Sequence, residues 1–148
     1  MEDTKPGHIY FASESVGEGH PDKLCDQISD AVLDACITID KHCKVGVESA
    51  TKTKLVCLLG ETLVNGERVN YEQIARNTCE QVGYDDESKG LDFKSMSVLV
   101  NVERQSAEIA NAVHTDKSQD DFGAGDQGLM FGYATDEYDK ETLHPYSH

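Results

Sequence analysis

Apolar residues after Pro21 recur at helical spacing. Leu24, Ile28, Ala31, Val32, Ala35 and Ile39 lie at i, i+4, i+7, i+8, i+11 and i+15, which predicts a helix over roughly residues 21–40. Pro21 suits its first position, because proline's φ is already helical and the N–H it lacks is one a helix start leaves unpaired. The period then changes to two. Residues 44–49 alternate apolar and polar and predict a strand. Residues 54–61 are nearly continuous and apolar, predicting a central buried strand that could pair with the first as a hairpin. Asn65-Gly66 signals a turn. Asn70, with Gln73 three residues on, caps a second helix that stops at Gly83 and carries Tyr71, Ile74, Ala75, Thr78 and Val82 on one face. Residues 85–92 read as a polar connection, and Met96, Val98, Val100 and Val102 alternate in a further strand.

The ends are less patterned. Residues 1–8 read as a loose tail and residues 9–12 as a short strand or extended lead-in. Residues 105–121 are polar, with a brief helical hint at 109–113. A long polar segment between strands is either disordered or a functional lid. A glycine-rich run at 123–128 leads into the apolar residues 129–134, and the remainder is polar. The reading is α+β, in a chain of 148 residues that fits one domain of ordinary size.

Composition narrows the classes. No apolar run is long enough to cross a bilayer, and the N-terminus lacks the basic and apolar regions of a signal peptide. Five cysteines, with no CxxC and no Cys/His ligand spacing, point to free thiols and a cytoplasmic protein. A formal charge of −15 argues against non-specific binding to nucleic acid or to an acidic membrane. It also means that any phosphate site here must be neutralised by bound metals or by cations from elsewhere.

The stretch Ser13-Glu14-Ser15-Val16-Gly17-Glu18-Gly19-His20-Pro21-Asp22-Lys23 carries the chemistry. Gly17 and Gly19 would let the backbone turn tightly and approach a ligand closely, ahead of a positive helix end that favours phosphate. His20 could donate to a leaving oxygen, and Asp22 could hold Mg²⁺, which takes few carboxylates and completes its shell with water and phosphate. The alternatives are a surface histidine and a favourable first-turn charge. Glu14 and Glu18 are further ligands or mere solvation. Asp22, Asp26, Asp30 and Asp34 form a stripe of which only Asp22 is a candidate ligand. Glu48 and Glu61 each stand near a strand end in apolar company, as surface glutamates or as site carboxylates.

Gly123-Ala124-Gly125-Asp126-Gln127-Gly128 satisfies the G-x-G-x-x-G spacing, but a charged loop precedes it and an apolar stretch follows, where a dinucleotide fingerprint needs a strand and a helix. The glycines are better suited to letting backbone crowd a substrate, with Asp126 as a carboxylate for an ammonium group.

The run from Ser13 to Lys23 and the run Gly123-Ala124-Gly125-Asp126-Gln127-Gly128-Leu129-Met130-Phe131-Gly132-Tyr133-Ala134-Thr135-Asp136-Glu137 resemble the two N-terminal signatures of S-adenosylmethionine synthetase, in the same order and at a fitting separation. The resemblance implies a β-α-β-β-α-β unit over residues 9–104, a mobile active-site loop over 105–122, and the truncated start of a second similar unit over 123–148. It implies transfer of the adenosyl group of ATP to L-methionine, with release of triphosphate and its hydrolysis to pyrophosphate and phosphate. By matching motif, His20 would contact ATP at the leaving triphosphate, Asp22 would bind Mg²⁺, Glu14 would be a second carboxylate on the metal side, and Glu48 would be associated with K⁺. Glu61 and Gln105 would contact methionine, and Asp126 would meet the methionine or the adenosyl moiety. The family is longer, with three such units and sites at a subunit interface, so a homodimer or tetramer is implied, and neither nucleic acid nor membrane as a partner. The later lysines, arginines, second magnesium aspartate and phosphate loop have no counterpart here. The chain is accordingly expected to be an N-terminal fragment inactive alone. The alternative is a non-catalytic module that pairs with full-length synthetase.

Overall fold

A computed structural model describes Gly7 and residues 14–64, 68–105, 128–132, 135–139 and 142–144, the last two stretches by backbone alone. The expected strand or extended lead-in at 9–12, the turn at Asn65-Gly66, the polar segment beyond Gln105 and the run 123–127 with Asp126 lie outside the described residues. The chain forms two compact units, one of residues 17–125 and one of residues 1–16 with 126–148.

In the larger unit, α1 (Pro21–Ile39) starts at the predicted proline and buries Leu24, Ile28, Val32 and Cys36. Each large apolar side chain so buried contributes about 1.5–3 kcal/mol relative to exposure. Asp22, Asp26, Asp30 and Asp34 lie on the flank away from these residues. The strands β1 (Lys44–Lys52) and β2 (Leu55–Leu63) pair antiparallel from Lys44↔Leu63 to Lys52↔Leu55, the expected hairpin. α2 (Tyr71–Val82) is capped as predicted: the Asn70 side chain accepts from the Gln73 amide, and Gly83 closes the helix in the left-handed conformation.

Between α2 and the last strand of this unit the structure departs from the expected polar connection. β3 (Asp85–Asp86) and β4 (Leu91–Asp92) form a small antiparallel pair across a 3-10 turn, Glu87–Lys89, that ends on left-handed Gly90. Strands of two residues are too short to set up a hydrophobic period. β5 (Ser97–Arg104) then returns beside β2 in parallel, giving the order β1-β2-β5. α2 lies within the long connection that a parallel pair requires.

Among the described residues one core serves the unit. Leu24, Ile28, Val32 and Cys36 of α1 and Ala75 and Cys79 of α2 cluster with Val56 and Leu58 of β2, so both helices cover one face of the sheet. β2 is central, as predicted, but it is buried on that face only. On the other face Leu59 is 43% and Leu99 52% exposed. Gly60 interrupts β2 with φ +140, and a Cβ there would lie 2.0 Å from the Gly46 carbonyl oxygen. No other residue type fits so close an approach of two strands.

In the second unit, β6 (Thr135–Asp139) pairs antiparallel with β7 (Thr142–His144) with an irregular register, and Leu129, Met130 and Phe131 are exposed. All five cysteines are free, as expected, and among the described residues no helix is long and apolar enough to cross a membrane.

Candidate active site

The loop ahead of α1 is fixed by hydrogen bonds to its carbonyl oxygens. The His20 amide donates to the Gly17 oxygen at 3.0 Å, and the Leu24 amide to the His20 oxygen at 2.8 Å. Gln27 Nε2 donates to the Glu18 oxygen at 3.0 Å, and the Tyr84 hydroxyl donates to the Gly19 oxygen. Neither Gly17 nor Gly19 has a left-handed φ, so the turn does not depend on one. A Cβ at Gly17 would meet nothing within 4 Å, which leaves room for the close approach the sequence suggested.

His20 occupies the N-cap of α1, and its Nδ1 accepts from the Asp22 amide at 3.1 Å. An accepting Nδ1 carries no proton, so the neutral ring holds its one hydrogen on Nε2. That hydrogen is the donor a phosphate oxygen would need. Asp22 sits in the first turn, exposed. Lys23 pairs with Asp26 at 2.9 Å, and this hydrogen bond and charge raise the pKa of its ammonium group. Glu14 is exposed and belongs to the other unit.

A second set of candidates lies on the sheet. Glu48 stands opposite Leu59, and Glu61 stands opposite Gly46 on β1 and Glu103 on β5. Alternation places Glu48 and Glu61 on the face the helices leave bare. Gln105 follows β5 directly. Its amide continues the pairing by donating to the Thr62 oxygen at 3.0 Å, while its side-chain Oε1 is buried with no hydrogen-bond partner among the described residues. A buried acceptor without a donor is costly.

No hydrogen bond or ion pair among the described residues joins the two sets. The helix start shares a cleft with Thr51, Lys52 and Thr53 at the β1–β2 turn, whereas Glu61 lies on the order of 20 Å further along β2 at about 3.3 Å per residue. Among the described residues no three His, Cys, Asp or Glu side chains gather as a metal-binding group. A lone exposed Asp22 still fits Mg²⁺ that arrives on a phosphate, because that ion keeps most of its shell as water and substrate oxygen. Asp126 lies outside the described residues.

Sequence reasoning passed over Gln27 and Tyr84, which tether the loop, and Gly60, which sets the strand spacing beside Glu61. Gly60 had a signal, a glycine inside an apolar strand run. The two tethers had none, since Tyr84 lies 65 residues from Gly19.

A mixed sheet with both helices on one face, and a loop-to-helix turn of the kind that receives anions, defines the class: an α+β domain with one set of polar groups at the start of α1 and another on the sheet. A family model described as the S-adenosylmethionine synthetase N-terminal domain matches residues 8–107, and the chain belongs to that family. The match takes in Glu14, His20, Asp22, Glu48, Glu61 and Gln105, and it places the chain in the methionine adenosyltransferase lineage.

Proposed function

We propose that this chain supplies the N-terminal part of a methionine adenosyltransferase site, where the sulfur of L-methionine attacks C5′ of ATP. The S–C5′ bond forms as the C5′–O bond breaks, the triphosphate departs with the bonding electrons, and water then splits it into pyrophosphate and phosphate. The loop before α1 receives the triphosphate. His20 Nε2–H donates to the departing oxygens, with the helix end adding partial positive charge. Gln105 Oε1 accepts from the methionine ammonium, and the Glu61 carboxylate faces the same charge. The thioether is itself the nucleophile, so no side-chain base is required, and catalysis rests on alignment and fixed positive charge. Asp22 would hold Mg²⁺ and Glu48 would lie near K⁺, ions that supply cationic charge to the phosphates when bound.

The observation that carries this reading is that a single family match takes in both residue sets. In this reading the triphosphate lies at the loop and methionine at Glu61 and Gln105. The bare sheet face, with exposed Leu59 and Leu99 beside Glu48 and Glu61, is where a second copy would close the site and exclude water. The same face supports a second reading, a non-catalytic module that pairs with a complete synthetase.

The test is ligand binding by half-site. MgATP should bind saturably and be weakened by His20→Ala or Asp22→Ala. L-methionine should be weakened by Glu61→Gln or Gln105→Ala. Loss of neither ligand in its own variants would overturn the assignment. Pairing with a complete synthetase but no binding of MgATP would favour the module.

A further inference from the structure

Four consecutive carbonyl oxygens, from Gly17 to His20, are all occupied as acceptors within the unit. Among the described residues, nothing accepts from the amides of Glu18, Gly19 and Lys23. The backbone groups this loop has to offer a ligand are therefore donors. In a chain of formal charge −15 this matters, because an exposed carbonyl oxygen beside a polyphosphate would add to the repulsion that the chain already presents.

Two of the four acceptors are held by side chains. Gln27 reaches back along α1 to the Glu18 oxygen, and the Tyr84 hydroxyl reaches the Gly19 oxygen from beyond α2. Tyr84 is itself anchored: its amide donates to the Cys79 oxygen at 2.9 Å, and its own oxygen accepts from the Phe93 amide at 2.8 Å. The tether thus ties the loop to the junction of α2 with the small β3–β4 pair.

We propose that Tyr84, together with Gln27, is a positioning residue of the polyphosphate loop. By holding the Gly19 and Glu18 carbonyls inward they keep the loop's N–H groups and His20 Nε2–H as the groups a polyphosphate meets. The proposal rests on the reading of this loop as the triphosphate site. Without the tyrosine hydroxyl the peptide between Gly19 and His20 loses its side-chain hold, and only the His20 amide's bond to the Gly17 oxygen is left to keep the Gly19 oxygen turned inward.

The experiment titrates Mg²⁺ with inorganic tripolyphosphate into the ¹⁵N-labelled chain and follows backbone amide shifts. Wild-type chain should show saturable shifts at Glu18, Gly19 and Lys23. Tyr84→Phe, which keeps the ring and removes only the hydroxyl, should weaken binding roughly five- to tenfold, the scale of one lost hydrogen bond, and speed exchange at Gly19 and His20 while α1 beyond Leu24 stays protected. Gln27→Met should do the same at Glu18, and it tests the proposal independently if Tyr84→Phe unfolds. Wild-type affinity in both variants would overturn the tether proposal alone. No loop shifts in the wild-type chain would overturn the triphosphate reading and the tether with it.

Discussion

Gly60 and Gly46 offer a matched pair of substitutions with opposite expected outcomes. Both lie where β1 and β2 meet beside Glu61, with Val47↔Gly60 and Gly46↔Glu61 in register. An alanine at 60 would have to hold φ near +140 and place its Cβ 2.0 Å from the Gly46 oxygen and 3.0 Å from the Gly46 carbon and Val47 Cα. The conformation alone costs about 1–3 kcal/mol. Relieving the clash means parting the strands by more than an ångström, which sacrifices one or two ladder hydrogen bonds at about 1 kcal/mol each. The sum is about 2–5 kcal/mol, a large share of the roughly 5–15 kcal/mol that holds a domain together. At about 4 °C per kcal/mol for a unit of this size, Gly60→Ala should melt at least about 8 °C lower. A Cβ at Gly46 meets only the Glu61 oxygen at 3.9 Å, an ordinary contact, so Gly46→Ala should stay within about 0.5 kcal/mol of wild type. Urea titration followed by circular dichroism measures both. Equal midpoints for the two variants would refute the close-approach argument and, with it, the claim that Gly60 fixes the strand spacing beside Glu61.

Three further outcomes follow from the same structure. His20→Asn keeps an excellent N-cap but has no Nε2–H, so melting should shift by no more than about 2 °C while tripolyphosphate affinity falls at least about tenfold; a variant that loses stability but not affinity would mean His20 only caps. The Asp85, Asp86 and Glu87 carboxyls are held below their ordinary values of 3.8, 3.8 and 4.5 by hydrogen bonds, from Lys89, Ser88 and Lys54 respectively. Folded-state pKa values below the unfolded ones mean stability present above those values and lost as pH falls through them. Amide exchange in the β3–β4 pair should therefore rise below about pH 4 before α1 loosens, and α1 opening first would contradict this. Burial, above all, pushes the Cys79 thiol up to about 11, leaving about one thiolate in a thousand at about pH 8. Iodoacetamide should therefore spare Cys79 in the native chain until it unfolds, and alkylation at the pace of half-buried Cys57 would contradict the burial.

Much of the fold was legible because it is local and periodic. α1 and α2 were marked by apolar spacing and by Pro21, Asn70 and Gly83 at their ends, and β1, β2 and β5 by alternation or apolar runs. What escaped was short or distant. The β3–β4 pair rests on Gly90 and a 3-10 turn rather than on a hydrophobic period. The apolar run of β2 suggested burial, yet Leu59 and Leu99 face away from both helices, because coverage depends on which side the connections pack. For the candidate site, residue types and capping were readable at His20 and Asp22. The carbonyl tethers from Gln27 and Tyr84 were not, since a side chain's bond to a loop carbonyl 9 or 65 residues away follows no periodic spacing. The orphaned acceptor at Gln105 likewise becomes visible only once the strands are paired and the side chain is buried.

The central claim is that the loop before α1 receives the triphosphate of ATP. The most direct measurement adds substoichiometric Mn²⁺ with ATP to the ¹⁵N-labelled chain and records paramagnetic broadening of each amide. The account predicts that Glu18, Gly19, Asp22 and Lys23 broaden first, followed by neighbours at the β1–β2 turn and around Val82 and Tyr84, with the C-terminal turn of α1 least affected. Broadening that is uniform, or strongest along the aspartates Asp26, Asp30 and Asp34, would mean the metal–nucleotide pair does not sit at the loop.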